Sequence, residues 1–253
     1  MASGYHSVAL KSDGEVWSWG YNEYGQLGNN TTVSKSSPVL VVGSHTFIEI
    51  AAGGSHSLAR KANGQVWSWG DGGEGQLGDN TATEKHLPVL VVGNHSFVEI
   101  AAGWHHSLAR KANGQVWSWG WNQYGALGDN TLTVKSSPVL VVGGHSFVEI
   151  SAGENHSLAR KADGSVYCWG RINGRSSPVL VVGPHSFVEI AAGGSHSLAR
   201  KANGQVFAWG ANAYGQLGDN NTMRGRAYPA LVGDGHSFVE ISAMGNHSLA
   251  RKV

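Results

Sequence analysis

Short runs of alternating apolar and polar residues return at a fixed interval along the chain. Between residues 97 and 142 four of them follow one another, FVEIAA, HSLARK, QVWSWG and PVLVV, separated by Gly, Asn, Ser and Thr. Alternation over so few residues marks a half-buried strand and leaves no room for a helix. The segment AAGGSHSLARKANGQVWSWG at 51–70 returns nearly unchanged at 101–120, 151–170 and 191–210, a period of about 50 residues. One copy is shortened to about 40 by a loss between Gly170 and Ser176, and the next is longer by one residue near Met223.

The dipeptide Asn113-Gly114 between two alternating runs predicts a hairpin with a two-residue type I′ turn, and it recurs as Asp13-Gly14, Asn63-Gly64, Asp163-Gly164 and Asn203-Gly204. Four-stranded meanders at this period predict an all-β fold, a β-propeller of about five four-stranded antiparallel blades. The array fills residues 1–253 as a single domain. Strands crowd near a propeller axis, so the small Ala-Ala-Gly segment places FVEIAAG innermost. PVLVV, opened by a proline, suits the outer edge. Trp67 and Trp69 fall on one sheet face, where they fill the space between blades.

Composition narrows the function. The 253 residues can bury a sizeable core, and 37 Gly, 10 Trp and only 14% charged residues fit a compact β protein. A net charge of +1 gives no electrostatic footprint for nucleic acid or an anionic membrane, so neither is expected as a partner. No apolar run approaches the roughly 18 residues of a membrane span, and MASGYHSVALK lacks the apolar stretch of a secretory signal. Cytoplasmic residence is the default, with a virion or an extracellular location as the alternatives. The single Cys168 excludes an internal disulfide framework and reads as a small buried hydrophobe.

The histidines His6, His56, His106, His156, His196 and His247 occur one per blade and cannot meet at one metal ion, so a structural role is expected. The same holds for His45, His95, His145, His185 and His236, which precede the inner strand. Glu49, Glu99, Glu149, Glu189 and Glu240 sit at equivalent inner-strand positions and suggest a carboxylate ring. Hairpin register argues instead for rows in which Glu49 faces Arg60 and Arg60 faces Trp67, repeated as Glu99–Arg110–Trp117, Glu149–Arg160–Tyr167 and Glu189–Arg200–Phe207. The Asp-Asn-Thr runs at 79–81 and 129–131 lack the full ligand set of a calcium loop and read as turn caps. No catalytic serine elbow, zinc motif or phosphate loop is present. No catalytic residue, cofactor or metal site is therefore expected, and the protein reads as a non-enzyme.

The run HSLARKANGQVWSWG, followed by Gly-Gln-Leu-Gly at 25–28, 75–78 and 215–218, resembles the repeat of the regulator of chromosome condensation family over essentially the whole chain. That resemblance implies a β-propeller. It also implies a binding function, since the family includes a nucleotide exchange factor for a small nuclear GTPase and a secreted bacterial inhibitor of β-lactamases. About five blades, no wedge-like insertion and no basic N-terminal tail set this chain apart and make nucleotide exchange the lesser expectation.

Differences among the copies locate the candidate site. They cluster after the inner strand, at Gly54-Ser55, Trp104-His105, Glu154-Asn155, Gly194-Ser195 and Gly245-Asn246, and after Trp-Gly, at 21–24, 71–74, 121–124, 171–175 and 211–214. In a meander both connections emerge at one end of the propeller. That end carries Tyr21, Tyr24, Trp104, His105, Trp121, Tyr124 and Tyr214, a set suited to binding a protein partner. A lectin using the same aromatics to stack on glycans is the alternative, although equivalent sugar pockets would need equivalent loops. Tyr24, Tyr124 and Tyr214 also fit a padding role at the base of the long loop.

The second strand is present once too often, at 2–11 and again at 242–252. A closed monomer is favoured in which the last inner strand brings its own partner and completes a Glu240–Arg251–Trp17 row. Pairing of Glu240 with the N-terminal strand, where Leu10 replaces the arginine, and pairing with another chain are the alternatives.

Overall fold

The computed structural model describes residues 2–183, 186–222, 224–233 and 236–252. His185 and the insertion point at Met223 lie outside the described residues. Within them every strand pairs antiparallel and no helix occurs. The second blade sets the pattern, with strands Glu49–Ala52, His56–Arg60, Val66–Gly70 and Lys85–Leu90 side by side in chain order. Three further four-stranded blades begin at Glu99, Glu149 and Phe187. The first blade has a two-residue inner strand, Ala2–Ser3, followed by His6–Leu10, Val16–Gly20 and Lys35–Leu40. The Ala-Ala strands do lie innermost, where Ala51, Ala101, Ala152 and Ala191 line a central cavity of about 650 Å³. The fold is the expected all-β propeller.

The turn between the second and third strands differs from the two-residue expectation. The Lys61 N–H donates to the Gln65 carbonyl at 2.9 Å and the Gly64 N–H to the Lys61 carbonyl at 2.9 Å, enclosing three residues. Gly64 alone takes positive φ, at 84°, while the Asn63 side chain accepts the Gln65 N–H at 3.1 Å. This is a type I turn closed by a glycine bulge, not a type I′ turn. Register therefore moves by one residue: Arg60 faces Val66, and Trp67 faces Ala59. The expected Arg–aromatic rows do not form. Their cation is instead the next residue, with Lys61 and Lys111 each 4.8 Å from the Trp67 and Trp117 rings, and Lys161 and Lys201 over Tyr167 and Phe207. His45, His95 and His145 stack on the same third-strand rings at 4.2–4.4 Å.

The glutamates pair with arginine as expected and also join blades. Arg60 Nε donates to Glu49 Oε2 at 2.5 Å, and the other carboxylate oxygen accepts the Ile100 N–H of the next blade at 3.2 Å. Glu99, Glu149 and Glu189 repeat both contacts. Five histidines of the first set, all but the exposed His247, likewise reach the following sheet: His6 Nε2 to Ser57 Oγ at 2.7 Å, His56 to Ser107 at 3.0 Å, His106 to Ser157 at 2.9 Å, His156 to Ser197 at 3.1 Å and His196 to Ser248 of the last hairpin at 2.8 Å. Ser57 Oγ donates its proton to the Gln26 carbonyl at 3.0 Å, so His6 must be the donor through Nε2–H. The carbonyl of Gln26 also accepts Trp69 Nε1–H at 2.9 Å. Trp69, Trp119 and Trp169 are wholly buried between blades as expected. Burial pushes His6 and His196 down to about 4 and His56, His106 and His156 down to about 3, so all five are neutral.

The last hairpin, Glu240–Met244 with His247–Arg251, forms as expected, with Arg251 donating to Glu240 at 2.8 Å. It packs Ile241 against the fifth blade as a separate two-stranded sheet. Trp17 does not complete its row. The third strand of the first blade keeps His6–Leu10 as neighbour, with Trp17 opposite Ala9, because the tight 11–15 turn holds that hairpin together. Among the described residues no strand pairing joins the last hairpin to the first blade.

Candidate functional site

The two variable connections emerge at the same end and are bonded to each other. Asp71 N–H donates to the Ser55 carbonyl and Trp121 N–H to the His105 carbonyl, each at 2.9 Å. In the third blade the long connection is built around Asn122, a fully buried side chain. Its Oδ1 accepts the Leu127 N–H at 3.0 Å, and its Nδ2 donates to the Thr131 and Thr133 carbonyls and to Asp129 at 3.1–3.2 Å. Asp129 also accepts the Thr131 N–H and hydroxyl, as Asp79 does from Thr81, which is the turn capping expected of the Asp-Asn-Thr runs. A polar frame so fully paired holds Trp121 and Tyr124 on a rigid loop.

Six of the seven predicted aromatic positions fall in one continuous row. Tyr24 meets Tyr21 at 6.3 Å, Trp104 meets His105 at 6.4 Å, His105 meets Trp121 at 6.3 Å and Trp121 meets Tyr124 at 5.1 Å between centroids. The two halves are linked by Tyr5, 5.8 Å from both Tyr21 and Trp104. Tyr5 escaped the sequence reading because the first copy lacks the FVEIAAG run that marks the variable pair. Aligning its HSVAL with HSLAR would have placed Tyr5 beside Ser55 and His105. Tyr214 stands apart on the fifth blade, 74% exposed, and no ring contact among the described residues joins it to the row. Tyr24 and Tyr124 are exposed rather than packed beneath their loops. Beneath the first of these loops lies Gln26, whose side chain accepts the Tyr24 N–H at 3.1 Å, and beneath the other the buried Ala126.

Small residues of the second blade let the row cross it. A Cβ on Gly54 would lie 2.7 Å from the Trp104 carbonyl oxygen and 2.9 Å from its indole, so only glycine admits Trp104 over this loop. Beyond Trp104 a second cavity of about 400 Å³ opens at the loop end, walled by Trp104, His105, Trp121 and Tyr124 and edged by Glu74, Glu154 and Arg171. Burial pushes His105 down, against the pull of the Asp71, Glu74 and Glu154 carboxylates. At the opposite end of the row Glu23 accepts the Tyr21 hydroxyl proton and pushes that phenol up to about 12.

The histidine–serine pairs superficially resemble a base with a nucleophile. Yet Ser57, Ser107, Ser157 and Ser248 give their protons to backbone carbonyls, and the first three are sealed between blades. Cys168 is buried in the core, where desolvation pushes its thiol up and away from reactivity. Among the described residues no three His, Cys, Asp or Glu gather as a metal site, and no helix is long and apolar enough to cross a membrane. What this end of the molecule offers is rigid aromatic area and a walled notch.

The model of the RCC1-like domain matches residues 1–250 of the chain. A 50-residue stretch is 48% identical to the human E3 ubiquitin-protein ligase HERC2, covering 19% of this chain and 1% of that protein. The chain thus corresponds to a small part of this curated relative. Human WBSCR16 superposes with a TM-score of 0.88 at 23% identity, covering 98% of this chain and 70% of that one. Yeast RCC1 (Prp20), solved bound to Kap60, gives 0.85 at 24% identity over 98% of this chain and 66% of that one. The superposition thus takes in nearly all of this chain and about two thirds of each of those longer chains, and it shows a shared fold.

Proposed function

The chain belongs to the RCC1-like domain family, and from that premise we propose that it is a non-enzymatic scaffold that binds a protein partner through the loop end of its first three blades. The observation that carries this reading is the unbroken row from Tyr24 through Tyr5 and Trp104 to Tyr124. Tyr and Trp combine large contact area with few rotatable bonds, which is why they dominate binding hot spots. A propeller lectin would repeat one pocket per blade, whereas this row is a single asymmetric surface, and that asymmetry favours one macromolecule over glycans. Yeast RCC1 (Prp20), which shares the fold, was solved bound to a protein, Kap60.

Capture of partners on immobilised protein, with bound-fraction mass spectrometry and a parallel glycan array, tests the reading. The double variant Trp104→Ala/Trp121→Ala should lose about 2 kcal/mol or more of partner affinity, roughly 30-fold, at unchanged thermal stability. Partner affinity equal to wild type, or saturable glycan binding without protein capture, refutes it.

A further inference from the structure

The 400 Å³ notch combines features that the row as a whole lacks. Its walls are rings set steeply to one another: Trp104 and His105 at 70°, His105 and Trp121 at 59°, Trp121 and Tyr124 at 78°. Steep angles make a box of ring faces and edges rather than a stack. One side is cut down by the shortened repeat, since the connection after the third strand occupies residues 121–134 in the third blade but only 171–174 in the fourth. The notch is therefore open to a side chain arriving from above.

Its charge is also unbalanced. Neither Glu74 nor Glu154 has an ion-pair partner among the described residues, although both edge the notch. Asp71, Glu74 and Glu154 all act on His105 in the direction that favours positive charge. Arg171, which also edges the notch, lies 5.1 Å from the Tyr124 ring, on the lowered rim. A guanidinium already held by one ring shows the polarity these rings favour, and among the described residues no cation sits over Trp104, His105 or Trp121. Aromatic faces attract cations through their quadrupole, most strongly when the cation is weakly hydrated, and carboxylates at the rim add to the field.

We infer that the notch receives an alkylammonium group, carried as a lysine side chain of the protein partner and held more tightly when that lysine is trimethylated. The inference rests on the reading of this loop end as a protein-binding face. Trimethylation spreads the charge over apolar methyl groups, which lowers the cost of leaving water while keeping the attraction to the rings.

The test uses the intact chain, with tryptophan fluorescence and the indole N–H resonances as readouts. Probes are tetramethylammonium, its neutral analogue tert-butanol, and one short peptide carrying lysine, trimethyl-lysine or norleucine at the same position. Binding should rank trimethyl-lysine above lysine above norleucine, with about tenfold between the first and last. Glu154→Gln and Glu74→Gln should each weaken the trimethyl-lysine peptide several-fold without changing the fold. Arg171→Ala should strengthen it by removing a like charge. Equal binding of the norleucine peptide, no saturable peptide binding at all, or weakening by Arg171→Ala overturns the inference. Tetramethylammonium bound as tightly as the peptide would reassign the notch to a free quaternary amine and overturn the lysine assignment. The two readings fail separately. Charge-blind peptide binding with partner capture still lost in Trp104→Ala/Trp121→Ala sinks the ammonium notch alone. Partner capture indifferent to that double variant sinks the binding face, whatever the peptides do.

Discussion

Acidification should unlock the blades from one another at a pH where most β proteins of this size still stand. His6, His56, His106, His156 and His196 are all buried, with folded values near 3 or 4 against an ordinary value of 6.5. A folded value below the unfolded one means that the unfolded chain binds more protons, so the stabilisation is complete above about pH 7 and falls as pH drops toward the folded values. At about pH 5.5 an unfolded histidine is roughly nine-tenths protonated while the buried one is neutral, which costs on the order of 1 kcal/mol per residue. Five of them together remove on the order of 5 kcal/mol, comparable with the whole stability of many domains. The loss falls one proton per interface, because each ring is hydrogen-bonded through Nε2 to a serine of the following sheet. Repeat proteins lose stability interface by interface, so the transition should broaden as well as shift. Urea unfolding followed by tryptophan fluorescence at about pH 7.5, 6.5 and 5.5 reads the shift. A pH-stat measurement of proton uptake on unfolding near pH 5.5 should find about four to five protons from this set, in addition to those of exposed groups. A midpoint that stays level from about pH 7.5 to 5.5, or an uptake near zero, would show that these histidines are charged or solvated in the folded chain and would refute the reasoning.

Other substitutions probe separate links. Gly54→Ala should displace Trp104, seen as a change in near-ultraviolet circular dichroism, lower partner affinity and destabilise by about 1–3 kcal/mol. Glu149→Ala strips Arg160 and the Ile190 N–H of their shared acceptor and should cost about 3 kcal/mol by denaturant unfolding. Lys111→Ala, which removes only the cation over Trp117, should cost less than about 1 kcal/mol, whereas Arg110→Ala should cost several times more. Equal costs for the last two would contradict the observed register.

The propeller, its inner strand and its interblade tryptophans were legible because strand alternation, a fixed period and side-chain size are all local properties of the sequence. The second hairpin was not, and the reason lies in Asn63-Gly64. Asn-Gly serves a two-residue type I′ turn and also the end of a three-residue type I turn with a glycine bulge, and the choice is made by whether Asn63 takes positive φ or bonds its side chain onward. Asn63 accepts the Gln65 N–H, so the turn enlarges by one residue, and the residue facing each aromatic changes from arginine to alanine. That single step also frees Arg60 to serve Glu49 alone while Lys61 takes the ring, so two interactions written as one row became two independent contacts. The loop end was partly legible for a different reason. Comparison among copies finds residues that vary, but adjacency across blades depends on what the intervening blade leaves out. Gly54 in the second blade is where Tyr5 and Trp104 approach each other, so the row exists because one copy has no side chain at the position where the next has tryptophan.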